Sequence, residues 1–251
     1  METTRTVHTL RPGFVLLVLL CTFCGCWGYR AVRAALAAPV SEGGVPEGSK
    51  AANDIPRAAS SPKTADWNLI LVNADHPLPE FYEISLTQLR NDQQVDKRMY
   101  PALQEMMDDA RAEGLSPLIC SSYRSRAQQQ ALYTKKVWEY LFDVLSREEA
   151  ETTAARWVSA PGTSEHETGL AVDIVAESYQ TLDAAQADTA EQQWLLEHCW
   201  EYGFILRYPA DKTDITGVEY EPWHYRYVGV PAAMDMRDSG QCLEEYLNEA
   251  S

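Results

Sequence analysis

His166 and Asp173 stand seven positions apart in "GTSEHETGLAVDIV", and Glu221 precedes His224 by three in "EPWH". Two imidazoles and one carboxylate suit zinc, whose catalytic sites commonly take three protein ligands and keep a fourth position for water. The remaining carboxylate is then spare. Plainer readings compete at each position: a lone histidine beside a glycine turn is more often a hydrogen-bonded structural residue, and a strand aspartate more often pairs with an arginine such as Arg226. Taken together the residues favour metal chemistry, because the chain has only 5 histidines. Of the others, His8 precedes an apolar run, His76 sits in a loop between prolines and His198 lies on an ordinary helix face.

The elements that must position these groups can be read from periodicity. In "LAVDIVA", Ala171, Asp173 and Val175 share one strand face while Leu170, Val172 and Ile174 take the other. A carboxylate on so apolar a strand needs a counter-charge, strong donors or a metal. "EPWHYRYVG" alternates Trp223, Tyr225 and Tyr227 against His224, Arg226 and Val228, which predicts a strand with one polar face. "RMYPALQEMMDDARAEG" spaces Met99, Leu103, Met106, Met107 and Ala110 as a buried helix face and stops at Gly114. "LSPLICSSYRS" reads as a strand delivering Tyr123 and Arg124 to a loop, and "RAQQQALYTKKVWEYLFDVLSREEAETTAARW" as one or two helices. "EQQWLLEHCWEYG" is a helix ended by Gly203, followed by a short strand in "FILRYP". "WNLILVNADHPLP" predicts another short strand, ended by Pro77 and Pro79. No internal repeat is visible.

Composition limits the partners. The chain has 251 residues, 45% of them hydrophobic and 23% charged, enough for one well-buried domain and an appendage. Its formal charge of −16 disfavours a nucleic-acid partner or a basic membrane-binding face. The N-terminus differs: Arg5 and Arg11 precede an uncharged run from Pro12 to Gly28, and Arg30 and Arg33 follow it. This pattern fits a signal-peptide core or a short anchor and predicts export; the flanking arginines favour an uncleaved anchor over cleavage near Ala35-Leu36-Ala37. A lipid-modified Cys26 is a weaker alternative. The segments expected are an anchor or signal over 1–33, a flexible Ala/Ser/Pro/Gly-rich linker over 34–66 and a folded domain over 67–251. In the exported part Cys120, Cys199 and Cys242 are an odd number. A bridge from Cys199 to Cys242 would fasten a C-terminal "CLEEYL" helix to the core; three buried free thiols are the alternative.

"SEHETGLAVD" fits the pattern S-x-H-x-x-G-x-A-x-D and "EPWH" the pattern E-x-W-H, and with these motifs the chain resembles the VanY-type D-alanyl-D-alanine carboxypeptidases, zinc peptidases that trim peptidoglycan stems. "LILVNADHPLP", "SSYRSRAQQQALY", "YGFILRYP" and "DITGVEYEPWHYRYVG" are similar to that family's blocks in the same order, from Trp67 to Tyr246. One departure is Ser122, where the family often has glycine. The resemblance implies an α+β domain with a central antiparallel sheet flanked by helices, a Hedgehog/D,D-peptidase-like fold. It implies one zinc ion per chain on His166, Asp173 and His224, Glu221 as catalytic base, and Arg124 as the residue that neutralises negative charge. Ser164, Gln129, Tyr123 and Trp223 are the implied substrate contacts. The implied reaction removes the C-terminal D-alanine from stem pentapeptides, with stem peptides and the membrane as partners of a monomeric, extracytoplasmic enzyme. An L,D-carboxypeptidase acting on the tetrapeptide and a non-catalytic wall-binding module are the alternatives. Loss of a ligand or of the base would mark the last, and all four are present.

Overall fold

The computed structural model describes residues 67–143 and 146–248. The segments predicted over 1–33 and 34–66 lie outside the described residues, as do Cys21, Cys24 and Cys26. From Trp67 to Val72 the chain forms no strand, against the expectation for "WNLILVN". The reason is that its carbonyls have a different partner: Arg226 donates to Asn68 O at 3.0 Å and to Ile70 O at 2.8 Å. The Asn68 amide in turn donates to Val228 O. A side chain thus takes the bonds a neighbouring strand would have supplied.

A hairpin that the periodicity did not predict follows, β1 (Leu86–Gln88) with β2 (Gln94–Asp96), paired antiparallel. Helix α1 (Tyr100–Ala112) then buries Leu103, Met106, Met107 and Ala110, and Met99 at its N-cap is buried as well. Its stop is a Schellman closure: Gly114 adopts φ 88°, its N–H reaches Arg111 O, and the Leu115 N–H reaches Ala110 O. Each buried Met or Leu contributes about 1.5–3 kcal/mol relative to exposure, so this stripe fixes the helix rotation.

Strand β3 (Pro117–Ser121) leads into α2 (Arg126–Phe142) and α3 (Arg147–Ala155), each opened by a reciprocal serine capping box, Ser125 with Gln128 and Ser146 with Glu149. Strand β4 (Ala171–Ala176) is buried along its whole length. Next come α4 (Ala190–His198), one 3₁₀ turn over Cys199–Tyr202, β5 (Phe204–Leu206), the one-turn α5 (Thr213–Thr216) and β6 (His224–Tyr227). Helices α6 (Val230–Ser239) and α7 (Leu243–Asn248) complete the described chain. The main sheet is four-stranded and antiparallel, in the order β3-β4-β6-β5. Leu170, Val172, Ile174, Phe204 and Tyr225 join the α1 stripe and α4 in one apolar core, so the two faces of β4 divide as their alternation predicts. Asp173 is left on the other face.

The expected Cys199–Cys242 bridge is not formed; Cys120, Cys199 and Cys242 are free thiols. Cys199 packs in the main core, and the C-terminal helix is held instead by Arg207, whose guanidinium donates to Glu244 at 2.9 and 2.6 Å. Among the described residues no helix is long and apolar enough to cross a membrane.

Candidate metal centre and its cleft

Sheet register brings two of the candidate residues together. Asp173 on β4 lies directly opposite His224 on β6, so their side chains project from the same face of adjacent strands. His166 arrives from the other side, on a single 3₁₀ turn, Glu165–Thr168, that ends at Gly169. Gly169 has φ 70°, and a β-carbon there would lie 2.6 Å from Ile84 Cδ1 and 3.0 Å from Asp96 N, so only glycine turns the chain into β4 at this spacing. The loop after β3 is stitched onto this turn: the Arg124 N–H donates to His166 O at 3.1 Å, and His166 Nδ1 lies 2.7 Å from Ser122 O. Arg124 is thereby delivered to the edge of the cluster.

The three side chains converge. His166 Nε2 is 3.3 Å from Asp173 Oδ2 and His224 Nδ1 is 3.0 Å from Asp173 Oδ1. One donor atom from each lies within 4.8 Å of the others. All three residues are buried, and His166 Nε2 and Asp173 Oδ1 have no hydrogen-bond partner. The Ser122 carbonyl can only accept, so His166 carries its proton on Nδ1 and turns the Nε2 lone pair towards a carboxylate. A lone pair and a carboxylate held this close in a buried site would both be satisfied by a cation bound between them. These residues therefore fit a metal ion, with His166, Asp173 and His224 holding it.

Charge shifts follow the same geometry. Burial, aided by Arg124, lowers the His166 imidazole to about 4. Burial alone would raise Asp173, but the two histidines outweigh it and hold the carboxyl well below its ordinary range. Burial would also lower His224, yet Asp173 and Glu165 beside it push it up to about 9. Glu221 behaves differently. A turn in which the His224 N–H donates to Glu221 O keeps its carboxylate 3.7 Å from His224 Nδ1, and burial, with Asp173 adding, pushes it up to about 8. A carboxyl that binds its proton near neutrality is suited to general acid–base work.

The cluster forms the floor of a cleft of about 270 Å³ walled by Arg124, Ser164, Trp157, Leu182, Tyr208 and Trp223. Arg124 Nε is buried there with no partner. Ser164 and Trp223 thus stand where the sequence reading places substrate contacts, whereas Gln129 and Tyr123 do not. Gln129 is buried behind the wall, its amide donating to Ser159 O at 2.7 Å, so it braces a cleft residue instead of lining the cleft. Tyr123 lines a separate depression with Leu78, Tyr82, Arg126 and Glu167. Arg124 and Tyr123, adjacent in sequence, thus line different cavities. The Asp173–Arg226 pair is not formed either, since Arg226 bonds Glu165 at 2.6 Å. His76 and His198 have local partners, Asn73 and Glu201.

Sequence reasoning missed the cleft walls Trp157, Leu182 and Tyr208, and it missed Glu165. Only Glu165 carried a signal: a carboxylate beside a buried ligand must itself find a counter-charge.

Comparison with known proteins gives a consistent picture. The family model described as VanY, D-alanyl-D-alanine carboxypeptidase, matches residues 92–230. A D-alanyl-D-alanine carboxypeptidase of Enterococcus faecalis is 44% identical over 196 residues, 78% of this chain and 71% of the relative. A mutant of the vancomycin resistance D,D-pentapeptidase VanY from a VanB-type cassette, solved in complex with Zn(II), is 46% identical with a TM-score of 0.67, covering 73% of this chain and 100% of that one. VanYB in complex with D-alanine-D-alanine is similar at 46% identity and a TM-score of 0.68, over 73% and 98% of the two chains.

Proposed function

The chain belongs to the VanY family of D-alanyl-D-alanine carboxypeptidases, and from that premise we propose that it is a zinc-dependent carboxypeptidase removing the C-terminal D-alanine from peptidoglycan stem pentapeptides. The observation that carries this reading is the buried triad His166, Asp173 and His224, with His166 Nε2 and Asp173 Oδ1 left without hydrogen-bond partners, beside a carboxyl that is not one of the three. A module that only bound the wall would not need that fourth group. What a zinc ion supplies when held there is Lewis acidity, which polarises a carbonyl and lowers the pKa of bound water towards ~7.

The remaining work falls to the protein. Glu221 takes a proton from the attacking water and returns it to the departing amine nitrogen, which a carboxyl with a raised pKa does more readily than an ordinary one. Arg124 presents a permanently charged, planar fork into the cleft, suited to the free carboxylate of the substrate or to the oxyanion that develops at the scissile carbonyl. Trp157, Leu182 and Trp223 exclude water and offer apolar surface to alanine methyl groups.

An extracytoplasmic, membrane-anchored enzyme completes the proposal; its support is the arginine-flanked apolar run from Pro12 to Gly28. Release of the domain by protease added to intact cells tests the placement, and resistance to release contradicts it. The activity is tested by incubating the zinc-loaded protein with synthetic pentapeptide and tetrapeptide stems and following their masses. Loss of one D-alanine from the pentapeptide is expected. Cleavage of the tetrapeptide alone would make the enzyme L,D-specific, and no cleavage of either would overturn the reading.

A further inference from the structure

We infer that Glu165 is a positioning residue that fixes which nitrogen of His224 faces the metal site; this rests on the proposed zinc-binding reading. The Glu165 side chain is fully buried. Its Oε1 accepts from Arg207 Nε at 2.8 Å and from Arg226 Nη1 at 2.6 Å. Its Oε2 has no hydrogen-bond partner and points at His224 Nε2, 3.5 Å away, which is also buried without a partner. Two orphans facing each other just beyond bonding distance are a donor and an acceptor that a small side-chain shift would join.

An ionised carboxylate can only accept, so it selects the His224 tautomer with the proton on Nε2. The Nδ1 lone pair is then left to face Asp173 and the donor cluster. His166 shows the mirror arrangement, since Ser122 O takes its Nδ1–H and frees Nε2. The two histidines therefore offer opposite nitrogens, each set by its own acceptor. Arg207 and Arg226 keep Glu165 ionised and aimed, and Glu244 on α7 anchors Arg207 from outside. Acceptors behind metal-ligating histidines fix tautomer and ring orientation, and their loss commonly weakens metal binding 10- to 100-fold.

Glu165→Gln is a sharp perturbation. The glutamine oxygen can keep both arginines, which places its NH₂ against His224 Nε2 and favours the wrong tautomer. In the full chain, zinc affinity measured by competition with a chromogenic chelator should fall about 10- to 100-fold, and the visible spectrum of the cobalt-substituted protein should change. Glu244→Gln disturbs the same ion pairs without touching His224, and should hold zinc within about threefold of the wild type. Equal weakening by both variants, or a Glu165→Gln protein within threefold of the wild type, overturns the proposal. His166→Ala serves as the metal control: if it binds zinc as well as the wild type, the metal-site reading itself falls. Should Glu165→Gln not fold, two-bond ¹H–¹⁵N spectra of the zinc-loaded wild type decide. A proton on His224 Nε2 and on His166 Nδ1 is expected, and a proton on His224 Nδ1 refutes the inference.

Discussion

Arg207→Met should destabilise this domain far more than a typical substitution. The Arg207 side chain is fully buried between two carboxylates, with Nε 2.8 Å from Glu165 and Nη1 and Nη2 2.9 and 2.6 Å from Glu244. Methionine fills much of the same space but carries no charge. Glu165 would keep Arg226, while Glu244 would lose its guanidinium partner, keep only neutral donors such as the Asn73 amide at 3.2 Å and a backbone N–H, and remain largely buried. Removing one partner of a buried ion pair typically costs about 3–5 kcal/mol, because the other charge stays desolvated. For a domain of this size each kcal/mol lowers Tm by about 2–4 °C, so a fall of roughly 6–20 °C is expected. Urea unfolding at pH 7, with the m-value compared between variants, measures the loss directly. The double variant Arg207→Met, Glu244→Leu removes the stranded charge and should recover part of the loss. A single-variant loss below about 1 kcal/mol, the level of an exposed pair, or a double variant no better than the single one, would refute the buried-charge account.

Arg124→Lys keeps the charge but loses the fork and should lower kcat/KM by roughly 10²- to 10³-fold with zinc content unchanged; near-normal turnover would remove Arg124 from the reaction. Burial pushes the Cys120 and Cys199 thiols up to about 12 and Cys242 to about 11. All three should therefore resist iodoacetamide at pH 8 until the protein is denatured, and a disulfide-linked Cys199–Cys242 peptide in a non-reducing map would contradict the free thiols. Burial alone would raise the Glu244 carboxyl, but Arg207 outweighs it and holds the group below its ordinary value. The stability it contributes is complete above the unfolded carboxylate's pKa of ~4.3 and is lost as pH falls through the lower folded value. The stability gap between wild type and Glu244→Gln should thus narrow on acidification below about pH 4, and a constant gap in denaturant titrations would contradict the pairing.

What was legible in the sequence was local periodicity. The alternation in "LAVDIVA" and the spacing of Met99, Leu103, Met106 and Met107 each follow from one element meeting one core, and both faces fall where the pattern puts them. The resemblance in "SEHETGLAVD" and "EPWH" supplied the ligand set, and the register of β4 against β6 brings Asp173 and His224 together. Register depends on partners distant in sequence, and no local pattern encodes it. The same limit applies to the two expected contacts that do not line the cleft. Tyr123 and Gln129 belong to the right segments, but which way each side chain points is set by Gln94 and Ser159, bonded to them from elsewhere in the fold. "WNLILVN" has strand composition and no strand partner, because Arg226 takes its carbonyls. Glu165 has no periodic signature; its position beside His166 signals the need for a counter-charge, but that Arg207 and Arg226 supply it and that His224 lies opposite is set by the fold.

Separating ligand from base is the most direct test of the account, and it needs metal content and pentapeptide turnover measured on the same purified samples of wild type and Glu221→Ala. Glu221 stands 3.7 Å from His224 Nδ1 and outside the three-residue donor cluster, so its loss should leave the metal in place. About one zinc per chain, with a rate lowered roughly 10²- to 10⁴-fold, is the predicted result. A zinc-free Glu221→Ala protein would make Glu221 a ligand, and a zinc-loaded protein with full turnover would remove it from the chemistry; either result contradicts the division of labour on which the proposed mechanism stands.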